Sequence, residues 1–444
     1  MNELHKTIFN LINAALHQNK RAGSSPAAGF KLPENIDWDQ IFEELSDQSI
    51  LGIPLEYMVK NVDVLMNSND QANLEQQQKI DELKQDWTVM VYSQVAEWTK
   101  LMEAQTELVN LLEKNNIPVA IIKGSAAAMN YPKPEYRSMG DVDFFVRTQD
   151  FEKAYELLRE NGYDFAADAS KGQMHLEDEK YHHVELKKNG VTFELHRRMS
   201  DTVQGKETDA KIEALIQEGM DHIQTGRVGE YEFPMFEEKL NGLIILRHII
   251  QHLSEDKGIG LRHVIDWMQF VERYVDDDAW QNTYAQYLDS VNLKEAAIVF
   301  ARMGQMYLGL NQDIAWCKGT TPATTLREAA EQEQNEIAKL ATAWMEQILA
   351  SGNFGAKKTS ADEGAGVLYR NKNVFTMIGS LQRLGLTHWE AARKHKVLRP
   401  LAWVYQAGRY AKKGLGRKNP IKSLKSDMEK SNYKKELLKG LKIE

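Results

Sequence analysis

Cysteine is almost absent from this chain, with Cys317 the single one in 444 residues. One thiol leaves no intramolecular disulfide and argues against the cross-linked framework of small secreted domains. Long apolar runs are also missing, since no stretch approaches the roughly 18 to 20 consecutive apolar residues that cross a bilayer. The N-terminal stretch 8–13 is interrupted by Asn10 and Asn13 and lacks a basic start, so it reads as a helix rather than a secretion signal. No internal repeat or low-complexity tract stands out. These absences lead to the expectation of a cytoplasmic globular protein, and 444 residues with 42% apolar content suffice for two or three domains.

Net charge is modest overall but unevenly placed. The formal net charge is −9, yet residues 367–444 hold 19 Lys/Arg against 5 Asp/Glu, a net of +14, which leaves −23 on residues 1–366. The bland explanation is a basic C-terminal region that is solvated or docks on the protein's own acidic surface. The sharper one is contact with an anionic partner, because Arg393, Lys394, Lys396, Arg399, Arg409 and Lys412 interleave with Trp389, Trp403, Tyr405 and Tyr410. Basic amphipathic segments with aromatic residues lie in membrane interfaces. Peripheral contact of 367–444 with an anionic inner membrane surface is therefore preferred to nucleic acid.

Hydrophobic periodicity divides the chain into a helical region over 1–115, a mixed α/β core over 116–235, a helical domain over 236–350, a Gly/Ala/Ser linker over 351–366 and a basic helical region over 367–444. Residues 22–33, rich in Pro, Gly and Ser, separate the first short helix from the next. Apolar residues at helical spacing from Trp87 to Leu112 predict a long helix before the first strand. Further helices are expected over 150–161, 239–253, 261–275 and 293–307, and the polar stretch 168–180 reads as a mobile loop over the site.

The residues that carry chemistry sit in the α/β core. Ile-Pro-Val-Ala-Ile-Ile-Lys-Gly-Ser (117–125) reads as a strand ending in Lys123, Gly124 and Ser125, and Met-Gly-Asp-Val-Asp-Phe-Phe-Val (139–146) as a second strand. Strand side chains alternate between faces, so Asp141 and Asp143 share one face while Val142, Phe144 and Val146 point into a core. Two carboxylates on one face suit a hard divalent cation, which takes oxygen ligands and substrate phosphates. Gly124 lets the backbone approach a phosphate, and Ser125 adds a hydroxyl donor.

A hairpin follows. Asn189-Gly190 between alternating runs is a strong turn signal, and with these two as the loop, Glu185 faces Glu194, His183 faces His196 and Leu186 faces Phe193. Opposed like charges on a sheet are unfavourable, so a metal, Arg197, Lys187 or a histidine is expected to offset the two glutamates.

Taken in order, Lys123-Gly124, Tyr131-Pro132, Arg137, Asp141, Asp143 and Glu194-Leu195-His196, followed by Leu261-Arg262 and Asp266, resemble the bacterial uncharacterised nucleotidyltransferase-like family. That family belongs to the nucleotidyltransferase fold superfamily, which includes polymerase β and antibiotic nucleotidyltransferases. The resemblance implies an α+β fold with a small mixed-sheet core flanked by N- and C-terminal helical regions. It implies that Gly124 and Ser125 contact a triphosphate with Lys123, Arg137 and His196 also on the nucleotide, and that Asp141, Asp143 and Glu194 are catalytic and hold two Mg2+ ions, or Mn2+. The stretch between Ser125 and Asp141 is longer than in compact superfamily members. Because Tyr131, Pro132 and Arg137 within it belong to the narrower family's pattern, it reads as a subfamily trait.

The expected activity is transfer of a nucleoside monophosphate from an NTP, with ATP the first choice, to a hydroxyl or amine of a small molecule, sugar or protein. A non-catalytic scaffold that keeps the fold and an NTP-dependent phosphotransferase are the alternatives. His248 and His252, at i and i+4, lack the Glu of a zinc-protease helix and read as packing or hydrogen-bonding residues. Arg262 and Asp266, at the same spacing, read as a helical ion pair. His182, His183 and His196 are open to a transition-metal role, a phosphate contact, general-base chemistry or a structural one.

Overall fold

The computed structural model describes residues 1–17, 37–65, 74–166, 169–177, 181–199, 203–254, 258–319, 327–353, 356–357, 374–415, 429 and 432–443. It is an α+β architecture around one seven-stranded mixed sheet. The strands are β1 (Val119–Ile121), β2 (Asp141–Val146), β3 (Asp164–Phe165), β4 (His183–Lys188), β5 (Val191–His196), β6 (Gln224–Val228) and β7 (Tyr231–Met235), in the spatial order β3-β4-β5-β2-β1-β7-β6. β2 runs parallel to β5, β1 parallel to β7, and the remaining neighbours are antiparallel.

Local chemistry explains the central strands. Val142, Phe144 and Val146 are buried in the sheet core together with Val184, Leu186, Phe193 and Leu195, as period-two alternation demands. The Asn189-Gly190 turn has positive φ at both residues, 49° and 80°, the backbone of a type I′ hairpin. The register is the one the turn dictates, with Glu185 opposite Glu194, Leu186 opposite Phe193 and His183 opposite His196.

Helices cover both faces. The helix Leu74–Lys114 is longer than Trp87 to Leu112 and lays Trp98, Leu101, Met102, Leu108 and Leu112 on the Val142/Phe144 face, while Trp87 nearer its start belongs to a second core. That second core holds Phe145 and Ile122 from the other face of the sheet and the helices Glu238–Ser254 and Leu261–Tyr274. Phe145 meets Phe236 there with ring centroids 5.8 Å apart. Residues of the first helix, Glu3–Leu16, and of the C-terminal stretch 432–443, such as Leu438 and Leu441, share the same core. Apolar contact thus ties the N-terminal and post-sheet helices into one body of packing.

The segment expected to be a mobile loop is helical over Ala169–Glu177. Met174 and His175 are buried between exposed Gln173 and Glu177, so a short amphipathic turn is hidden in a polar stretch. The Pro/Gly/Ser segment 22–33 lies outside the described residues, as does most of the linker 351–366. Among the described residues no helix is long and apolar enough to cross a membrane.

Candidate active site

The parallel pairing of β2 with β5 puts Asp141 beside Thr192, Asp143 beside Glu194 and Phe145 beside His196. Because neighbouring strands present paired residues on one face, Asp141, Asp143, Glu194 and His196 converge, and the β4–β5 register adds His183 and Glu185. Two adjacent strands and one hairpin therefore assemble an acidic row from residues more than fifty positions apart.

Lys123 closes this row from the end of β1. Its ammonium donates to Asp143 Oδ1 at 2.7 Å and lies 3.7 Å from Glu194 Oε2. His196, fully buried, sets Nε2 3.0 Å from Asp143 Oδ1 and 3.2 Å from Glu194 Oε2. Lys123 has φ 55° and ψ −115°, a conformation a non-glycine residue adopts only when its surroundings compel it. Gly124, expected to let the backbone approach a phosphate, follows Lys123 and has no positive φ. At Gly124 an added Cβ would meet Met139 Sδ at an ordinary 3.5 Å.

Crowding of charge shifts the titration of these groups. Burial, then the like charges of Asp143 and Glu194, push the Asp141 carboxyl up to about 7. Burial works against the Glu194 carboxylate too, but His183, His196 and Lys123 hold it well below the usual range. For Lys123, burial opposes the charge and the carboxylates of Asp143 and Glu194 more than restore it. Burial and the Lys123 charge oppose protonation of His196, yet its hydrogen bonds to Asp143 and Glu194 raise its pKa. His183 above all, with Lys171, holds the Glu185 carboxyl down to about 2. The opposed glutamates are thus offset by His183, 3.7 Å from each, by Lys171 at 3.2 Å from Glu185, and by Lys123 and His196 at Glu194. Of the groups expected from sequence a histidine serves, whereas Lys171 and Lys123 were not foreseen in this part.

Two other expected site residues are engaged in bonds of their own. Ser125 is buried with its hydroxyl donating to Gln105 Oε1 at 2.6 Å. Arg137 makes a buried two-pronged pair with Asp266, Nε to Oδ1 and a second guanidinium nitrogen to Oδ2, both 2.7 Å. Tyr131 donates to the same Asp266 Oδ1 at 2.7 Å. Asp266 therefore partners Arg137 rather than Arg262, which donates to the Ser138 carbonyl at 3.2 Å. Three positions singled out by the resemblance, Tyr131, Arg137 and Asp266, form one cluster that fastens the loop before β2 to the helix Leu261–Tyr274. No spacing rule links residues 129 apart, so only their common appearance in the pattern hinted at it.

The donor set fits a divalent cation. Asp143, Glu194 and His196 each offer a ligand atom, all within 4.8 Å of one another, and Asp141 sits on the same face with its ionisation opposed by burial and by the like charges beside it. A cation would relieve that repulsion, which the single ammonium of Lys123 only partly does.

The family described as an uncharacterised nucleotidyltransferase matches residues 34–309, more than half of the chain. The protein belongs to that family. Within this nucleotidyltransferase family the matched span takes in the whole sheet, the acidic row and the helices that carry Asp266 and His248. Membership supports nucleotidyl transfer in general, with an NTP as substrate and divalent metal as the usual requirement. No curated protein matches the chain.

Proposed function

We propose that this protein is an Mg2+-dependent nucleotidyltransferase that moves a nucleoside monophosphate from an NTP, ATP foremost, to a hydroxyl or amine acceptor. The observation that carries this reading is the side-by-side placement of Asp143 and Glu194 on parallel strands, with Asp141 on the same face and Lys123 bonded to Asp143. Asp141, Asp143 and Glu194 would hold the cation. When bound, it supplies positive charge to the triphosphate and to the oxygen that attacks it.

The remaining roles belong to the chain. Lys123 provides a buried ammonium for phosphate charge, held at the row by Asp143. His196, with Nε2 between Asp143 and Glu194, aims both carboxylates, and its burial keeps it from serving as a base to an incoming hydroxyl. The Arg137–Asp266 pair orients the loop that leads into Asp141. The acceptor oxygen attacks the α-phosphorus, the bond from that phosphorus to the bridging oxygen breaks, and pyrophosphate leaves. Equilibrium dialysis tests the reading: ATP and Mg2+ should each strengthen retention of the other, and Asp141→Ala/Asp143→Ala should remove the effect. Wild-type protein that binds neither would make it a scaffold.

The Asp141 carboxyl adds a pH signature. Its folded pKa, about 7, lies above the ordinary 3.8 of the unfolded chain, so the folded state holds more protons between these values. In metal-free protein this group's stabilising contribution is present below about pH 4 and is lost as pH rises through 7. Mg2+ affinity should rise over the same interval as the carboxyl ionises. Titration calorimetry at pH 5.5 and 8 is expected to show about tenfold or more tighter binding at the higher pH, one pKa unit of coupling being worth that factor. Asp141→Asn should flatten the dependence, and equal affinities in wild type would refute the assignment.

For the basic region, contact with an anionic membrane surface is the reading we favour. The chain exposes Val397 (84%) and Leu401 between the helices Val374–His388 and Ala402–Leu415, and Val404 in the second of them, in a stretch that also holds Lys394, paired with Glu390, and Lys396, 3.5 Å from Glu177. Apolar side chains rimmed by Lys suit the headgroup boundary of an anionic bilayer. Sedimentation with anionic vesicles should pull down wild type and not Val397→Asp/Leu401→Asp, with neutral vesicles leaving both in solution. Equal lack of binding to both lipids would remove the idea.

A further inference from the structure

Two histidines on one helix are commonplace, but a third arrives from the next. His248 and His252 project from the helix Glu238–Ser254 with their Nε2 atoms 2.8 Å apart, and His263 comes from the helix Leu261–Tyr274. Ring centroids are 4.5 Å between His248 and His252, 5.2 Å between His248 and His263, and 5.6 Å between His252 and His263. One ring nitrogen from each lies within 4.8 Å of the other two. We propose that His248, His252 and His263 form a transition-metal site of the Zn2+ class that clamps these two helices together beside the acidic row.

The chemistry of the donors selects the metal. Three imidazoles suit Zn2+, Co2+ or Ni2+, whereas Mg2+ and Ca2+ want oxygen ligands, so this site and the carboxylate row take different ions. Zinc–nitrogen bonds of about 2.0–2.1 Å in a tetrahedron put ligand nitrogens roughly 3.3 Å apart, a spacing that small side-chain rotations of this cluster reach. Two facing Nε2 atoms at 2.8 Å can share at most one hydrogen, or both turn lone pairs to a cation.

Position makes the site more than a staple. A cavity of about 10 Å³ is lined by His248 and His263 together with Lys123, Arg137 and Asp266, room on the scale of one water. His252 does not line it, and a water molecule there, against His248 and His263, would take the metal's fourth position. The charges of Lys123 and Arg137 there are matched by Asp143 and Asp266, which limits their repulsion of a cation, while Arg262, the third positive group facing the cluster, donates to the Ser138 carbonyl. Metal binding would hold the helix that carries Asp266, and through Arg137 the loop before Asp141. The inference is independent of nucleotidyl transfer, since its test contains no NTP.

Metal-stripped full-length protein is titrated with Co2+ and the visible absorption of four-coordinate cobalt recorded. One equivalent should develop the bands, a further equivalent of Zn2+ should remove them, and Zn2+ should raise the melting temperature. His263→Gln and the more exposed His248→Gln should each weaken Co2+ binding at least about tenfold, as loss of a metal-ligand support does. His183→Gln, which alters two of the other candidate clusters and lies outside this one, should keep the bands. Should His263→Gln fail to fold, His248→Gln decides. Wild type without a zinc-competed cobalt band, or bands unchanged in His248→Gln, would overturn the proposal, as would bands lost in His183→Gln instead.

Discussion

Asp143→Asn is expected to lower nucleotidyl transfer about a thousandfold, the rate equivalent of roughly 4 kcal/mol of lost transition-state stabilisation. Asp143 is the hub of the acidic row: it accepts from Lys123 at 2.7 Å, meets His196 at 3.0 Å and lies beside Glu194 in the parallel register. Asn keeps the shape and one oxygen but removes the charge that binds a cation and that holds Lys123. Asp143→Ala would leave the Lys123 ammonium buried without this partner and would cost stability as well, which is why the isosteric change is the cleaner test. Single-turnover rates at saturating NTP measure the effect. A loss smaller than about tenfold would show that the row does not carry the chemistry.

The largest effect on stability is expected at the Arg137–Asp266 pair. Both side chains are buried, their two bonds are 2.7 Å, and Tyr131 donates to the same carboxylate. Arg137→Ala leaves the Asp266 charge in a low-dielectric interior without its guanidinium partner, although Tyr131 still donates to it, which should destabilise the fold by about 3–5 kcal/mol. Asp266→Ala strands the guanidinium at a similar cost. The paired change Arg137→Met/Asp266→Leu removes both charges and should be distinctly milder than the sum of the single ones. Denaturant midpoints report all three. Single variants within about 1 kcal/mol of wild type would mean that solvent reaches the pair and that it does not fasten loop to helix.

What could be read from the residues alone was the part governed by local rules. Alternation placed Asp141 and Asp143 opposite Val142 and Phe144, and Asn189-Gly190 set the pairing of Glu185 with Glu194 down to the residue. These follow from a period of two and from one turn geometry, with no knowledge of the distant chain. What could not be read depends on contacts far apart in sequence. Ser125 turns inward because Gln105 of the long helix waits there, and the strained backbone at Lys123 follows from where its ammonium must go. Arg137 finds Asp266 rather than leaving it to Arg262, and His263 joins His248 and His252 only because two helices pack side by side. The polar appearance of 168–180 concealed a helix for a related reason, since burial of Met174 and His175 comes from tertiary packing rather than from composition.

The central claim is that the α-phosphorus of an NTP is transferred, and one measurement addresses it directly. Wild type and Asp141→Ala/Asp143→Ala are incubated with Mg2+, a cell extract and ATP labelled at either the α or the γ phosphorus. The account predicts that α label appears in a new product while γ label leaves as pyrophosphate, with both events lost in the variant. Transfer of γ label with release of ADP would make the protein a phosphotransferase, and no difference between wild type and variant at either position would contradict the account altogether.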